Sequence, residues 1–169
     1  MRHAGSLFYD EMKLEARANR TALDFSSGSL NPGRVLALDL GKRRIGLALS
    51  DELRVTAQGL KTLERTNIRE DLARLCQLAV DNNVSQIVIG NPLHMSGRAG
   101  FQADKAHEFG ERLQAASSLP VEYWDERLTT VEAQRVLRES GVSSQKRAKA
   151  VDRLAAVILL ESYLDSRTS

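Results

Sequence analysis

Four consecutive apolar residues, Val35-Leu36-Ala37-Leu38, run directly into an aspartate, Asp39. Such a run, without alternation, predicts a strand buried on both faces of a helix-covered sheet. A carboxylate at its end is costly unless something balances its charge. Strand ends in α/β sheets face the crevice where ligands bind, which makes Asp39 the first candidate functional residue. An aspartate that merely caps the turn into Gly41 is the simpler alternative.

The elements around this strand set the fold class. Arg44 to Ser50 reads as a second strand in hairpin with the first, and a weaker third strand falls between Thr56 and Leu63. Ile68, Leu72, Leu75 and Ala79 recur at helical spacing, predicting an amphipathic helix from about Asn67 to Asp81. Gln86-Ile87-Val88-Ile89-Gly90 is a further buried strand, followed by the turn signal Asn91-Pro92. Ala106, Phe109 and Leu113 mark a helix ending near Ser117, and Pro120 to Glu126 is a strand. Thr129 and Glu132 form a capping box for a helix that Gly141 terminates, and a last helix spans about Ser144 to Leu164. Three strands in meander, then alternating helices and strands, imply an α/β protein: a mixed five-stranded sheet with helices on both faces, in the order of the RNase H-like fold. Residues 1–33, ending in Ser26-Ser27-Gly28-Ser29-Leu30-Asn31-Pro32-Gly33, read as a poorly ordered N-terminal extension, with the RNase H-like domain over 34–169.

With 169 residues, 42% hydrophobic and 27% charged, the chain has material for one soluble domain. It has no apolar run near the roughly 18 residues of a membrane span, and no basic–apolar–small leader pattern at its N-terminus. A cytoplasmic protein with no membrane association is expected. The single cysteine, Cys76, lies on the apolar stripe of a predicted helix and reads as a reduced core thiol. A net charge of +2 permits nucleic-acid binding without requiring it. The clusters Lys42-Arg43-Arg44 and Lys146-Arg147 with Lys149 each adjoin a candidate acid, and together they point to an anionic substrate.

Asp152 interrupts the last helix on a face shared with Ala155, Ala156 and Leu159. The small alanines would let this helix approach the sheet and carry Asp152 towards Asp39. Pairing with Arg153 or Lys149 is the structural alternative. Asp125-Glu126 closes the last strand, and alternation sends its two carboxylates to opposite faces. Only one of them is expected to join the cluster, and at this stage either could. Three carboxylates from separate elements suit Mg²⁺ or Mn²⁺, which take hard oxygen ligands and retain waters. Two such ions about 3.5–4 Å apart can activate water and stabilise a leaving oxygen in phosphodiester cleavage. Zinc is disfavoured, because His94 and His107 have no partner at ligand spacing. The loop from Gly90 to Arg98, with His94, is a candidate substrate contact at a helix N-terminus, or simply a flexible connection.

Four stretches carry a resemblance: Asp39-Leu40-Gly41-Lys42-Arg43-Arg44-Ile45-Gly46-Leu47-Ala48-Leu49-Ser50-Asp51, Gly90-Asn91-Pro92-Leu93-His94-Met95-Ser96-Gly97, Asp125-Glu126-Arg127-Leu128-Thr129-Thr130, and Val151-Asp152-Arg153-Leu154-Ala155-Ala156. In this order they resemble the YqgF (RuvX) family of Holliday-junction-resolvase-like proteins, implicated in ribosome biogenesis through processing of the small-subunit (16S) rRNA precursor. The resemblance implies an RNase H-like fold and a hydrolase acting on phosphodiester bonds. It carries over Asp39, the Asp125/Glu126 pair and Asp152 as catalytic acids, with Asp39, Glu126 and Asp152 as metal ligands. Lys42, Arg43, Arg44, His94, Arg127, Thr129, Thr130 and Lys149 are the expected substrate-binding positions. RuvC-like resolvases carry an acid on the strand matching Ile87 to Asn91; this chain has none there, so the Asp125-Glu126 strand must supply it.

The expected partner is RNA, a ribosomal RNA precursor, engaged through phosphates and 2′-hydroxyls. A resolvase acting on structured DNA is the first alternative, and monomer and homodimer both remain open. A non-catalytic nucleic-acid-binding factor is the second, and metal titration separates it from both enzymes.

Overall fold

The computed structural model describes residues 32–91, 97–125 and 144–167, with the backbone alone described for 97–102, 125 and 144–148. Strand β1 (Arg34–Leu40) is central, and its residues Val35 to Leu38 are fully buried. It pairs antiparallel with β2 (Arg44–Ser50), which follows through the Gly41 turn. On its other side it pairs parallel with β5 (Val84–Asn91), which in turn pairs parallel with β6 (Val121–Asp125). The third strand of the meander is split, so the sheet has six strands rather than the five expected. Strand β3 (Ala57–Gly59) pairs with Ala48 to Ser50, and β4 (Leu63–Glu64) pairs with Arg44 and Ile45. The gap between them lies opposite Gly46 and Leu47, bridged by the Leu60 N–H to the Leu47 carbonyl at 2.8 Å.

Three described helices cover the sheet. Helix α1 (Ile68–Asp81) is capped by Asn67, whose side chain accepts from the Glu70 N–H, and it buries Leu72, Leu75, Cys76 and Ala79. With α2 (Gly97–Ser117) it packs on the face formed by Leu36, Leu38, Ile45, Leu47, Ile87 and Ile89. Burial pushes the Cys76 thiol up to about 11, so this free core cysteine stays protonated at neutral pH. Helix α3 (Ser144–Asp165) lies across β2 and β1 on the opposite face, packing Ala156, Leu159 and Leu160 on Val35, Ala37, Ala48 and Val88. The alternation of β1 therefore divides two cores: Leu36 and Leu38 serve one, Val35 and Ala37 the other. Among the described residues no helix is long and apolar enough to cross a membrane. Pro32 and Gly33, read from the sequence as linker, are tied to the folded body: their carbonyls accept from the Arg54 guanidinium, each at 2.9 Å. The helix expected between Thr129 and Gly141, and the extension before Pro32, lie outside the described residues.

Candidate active site

Asp39 is in phase with Val35 and Ala37, which puts it on the face covered by α3. Its partner in the hairpin register is Gly46. A Cβ on Gly46 would lie 2.0 Å from the Asp152 carbonyl oxygen and 3.3 Å from the Asp39 Cβ. Only the absence of a side chain at Gly46 lets the backbone of α3 settle onto β2 at this point. Asp39 and Asp152, which are 113 positions apart in the sequence, are brought together over one glycine.

Arg44, also on β2 and in phase with Gly46, donates from Nε to the Asp152 carboxylate at 2.6 Å. Their side chains are 28% and 23% exposed, so the pair is sheltered enough to set the orientation of the carboxylate. The sequence alternatives for the partner of Asp152 are thus replaced. Arg153 donates to the Leu60 carbonyl and Lys149 pairs with Glu64, so neither neighbour along the helix holds it.

Asp39 is also one wall of a cleft of about 1300 Å³ at the carboxyl ends of β1 and β5. Lys42, Arg43, Arg44, Arg65 and Lys105 line it, and its floor includes the buried Asp71. Asp71 and Arg65 had no part in the sequence expectations. Asp71 is 1% exposed and accepts from Arg65 Nε and from the Thr66 N–H, both at 3.1 Å. Arg65 also donates from Nη1 to the Gly41 carbonyl at 3.0 Å, and its guanidinium lies over the Phe109 ring. This strap ties the turn after Asp39 to α1 and α2. An acid in phase with the apolar stripe of a helix was its signal, the same signal that exposed Asp152.

Of the remaining expected residues, Asp125 ends β6 opposite Asn91 in the parallel register. Trp124, just before it, packs on the α3 face, against Tyr163 and with its indole N–H to Ser162 at 3.1 Å. Tyr123 packs on the other face, beside His107. Glu126, Arg127, Thr129, Thr130 and His94 lie outside the described residues. Lys149 is on α3, with Nζ 2.7 Å from Glu64. Among the described residues no three acidic, histidine or cysteine side chains converge on a metal position.

The family model described as RuvX, Holliday junction resolvase, matches residues 33–166. The chain belongs to this family. A RuvX relative from Koribacter versatilis, named "Putative pre-16S rRNA nuclease", is 54% identical over 135 residues, covering 80% of this chain and 88% of the relative. One of the same name from Symbiobacterium thermophilum is 46% identical over 136 residues, covering 80% and 94%. Among solved structures, Thermus thermophilus RuvC in complex with a Holliday junction substrate matches with a TM-score of 0.50 at 14% identity, over 81% of this chain and 96% of that one. The Fowlpox virus resolvase in complex with Holliday junction DNA matches with a TM-score of 0.50 at 11% identity, over 80% and 99%. At such identities the likeness is one of fold, and it establishes the RNase H-like architecture read from the element order. As a RuvX protein the chain is a nuclease, a phosphodiester hydrolase acting on nucleic acid.

Proposed function

We propose that this protein is a divalent-metal-dependent nuclease that processes the precursor of small-subunit (16S) ribosomal RNA, working in the cytoplasm through Asp39, Asp152 and an acid of the Asp125-Glu126 pair. The observation that carries this reading is the approach over Gly46, where the Asp39 Cβ and the α3 backbone at Asp152 lie against one glycine, beside a cleft rich in lysine and arginine.

The donor set fits Mg²⁺ or Mn²⁺. Asp39 and Asp152 offer hard carboxylate oxygens, whereas Cys76 is buried in the core and His107 is stacked on Tyr123. Asp39 and Asp152 would hold the ion. Glu126, the metal ligand that the family resemblance carries over, is our choice for the third ligand. When bound, the metal supplies charge neutralisation at the scissile phosphate and an acidified water.

The chain's own side chains do the rest. Arg44 holds the Asp152 carboxylate in one orientation, so it does not swing away when substrate arrives. Lys42 and Arg43, on the turn after Asp39, bind the flanking phosphates, and the Asp71–Arg65 strap fixes that turn. His94, Arg127, Thr129, Thr130 and Lys149 complete the substrate contacts in this proposal.

The test uses wild type and Asp39→Asn with a precursor 16S rRNA fragment and with a four-way DNA junction, each in Mg²⁺, Mn²⁺ or EDTA. Metal-dependent cleavage of the RNA, lost in the variant while its circular dichroism is unchanged, is the expected result. Cleavage of the junction alone would replace the RNA reading with a resolvase. Binding without cleavage of either would leave a nucleic-acid-binding factor.

A further inference from the structure

A second groove, of about 580 Å³, opens on the far side of β4. Its walls carry Lys61, Arg74, Lys149 and Arg153 against a single carboxylate, Glu64. Two of these cations spend their hydrogen bonds on neutral groups: Arg74 donates to the Glu64 carbonyl at 3.3 Å and Arg153 to the Leu60 carbonyl at 3.1 Å. Such bonds hold a guanidinium in place without neutralising it; Arg74 in addition shares the field of the Glu70 carboxylate, one turn earlier on its helix. Gly59 assists, because a Cβ there would lie 2.5 Å from Arg153 Cγ, so its absence seats the arginine stem on the sheet.

The groove adjoins the active-site cleft. Glu64 lines both, and it is the register partner of Arg44, one strand spacing away. Hydrogen bonding and charge from Lys149 hold the Glu64 carboxyl below its ordinary range, with smaller contributions from Arg44 and Lys61. The positive fields of groove and site therefore overlap at this one residue. With Lys149 paired to Glu64, the other three cations around the depression repel one another, and an extended polyanion relieves that repulsion.

We propose that this groove is a binding track for the phosphate backbone of the nucleic-acid strand, continuing from the scissile position in the cleft across β4. Lys61, Arg74 and Arg153 contact phosphates there, and they read backbone charge rather than base sequence. This assignment rests on the nuclease reading, because the cleft defines where the strand enters.

The test measures binding in EDTA by fluorescence anisotropy, with a labelled precursor 16S rRNA fragment over a range of salt. The full-length protein is compared with a Lys61→Gln/Arg74→Gln variant and with an Arg34→Gln/Arg167→Gln control that removes the same charge elsewhere. Each lost phosphate contact lowers the slope of log K against log salt by about 0.7 for a single strand. The groove variant should therefore lose about 1.4 in slope and bind roughly tenfold more weakly at physiological salt, while the control keeps the wild-type slope. An unchanged slope in the groove variant overturns the track, and is also what a groove serving an acidic protein would give. Cleavage of the same RNA in Mg²⁺ separates the two readings. A groove-dependent slope without cleavage sinks the nuclease and leaves the track standing; cleavage with an unchanged slope does the reverse.

Discussion

Gly46 decides more about the site than any charged residue, because it sets how near α3 comes to the sheet. A methyl group there would overlap the Asp152 carbonyl, which is backbone and cannot rotate aside. Gly46→Ala should lift the helix locally, destabilising the protein by about 1–3 kcal/mol as an overpacked contact. Cleavage should fall much further than stability, since misplacement of a reacting group by about 1 Å can cost 10²-fold. A urea melt and a cleavage assay on the same sample check this; an unstable but fully active variant would mean that the Asp39–Asp152 spacing is not critical. Residues of this kind were partly legible in the sequence. A glycine inside the apolar strand Arg44 to Ser50 signals close backbone approach, but what approaches is a helix a hundred residues away, which local pattern cannot name. Likewise Asp152 was readable as a half-buried acid from its alanine-lined face, whereas its partner Arg44 sits on another element and had to come from the fold.

Among the elements, the helices and the longer strands within the described residues were expected, because each carries helical periodicity or an apolar run. The error was at β3 and β4, read as one strand. The division falls opposite Gly46 and Leu47, and no local pattern in residues 57–64 marks it. The junction of α1 with the β1–β2 turn is the other feature the pattern hid. Asp71 is buried with its charge compensated by Arg65, and removing one member leaves the other uncompensated. Asp71→Ala should cost about 3–5 kcal/mol. It should also free Arg65 from Gly41 and loosen the turn that bears Lys42 and Arg43, raising KM for RNA more than it lowers kcat. Denaturation gives the first quantity and steady-state cleavage the second. A loss below about 1 kcal/mol would mean that water replaces the carboxylate and that the strap is not structural.

At the scale of the whole molecule, the fold is shared with resolvases that act on four-way junctions, yet a fold does not select a substrate. Junction resolution requires two cuts placed symmetrically, hence two active sites related by a two-fold axis. Stable homodimers present a sizeable apolar patch for that purpose. Among the described residues the exposed large hydrophobic side chains are Leu53 and Val55, on the loop after β2, and Val80, near the end of α1. Three side chains on two elements do not form an interface core, and single exposed apolar residues are ordinary. Light scattering at micromolar concentration separates the two readings: a monomer near 18.7 kDa that cuts precursor RNA and leaves the paired cuts of a junction unmade supports RNA processing. A single active site suffices for RNA trimming, so monomer and RNA substrate stand together. A particle of twice that mass that nicks opposite arms of a junction in concert would join dimer and resolvase instead, and would place the second copy on a surface beyond these three side chains.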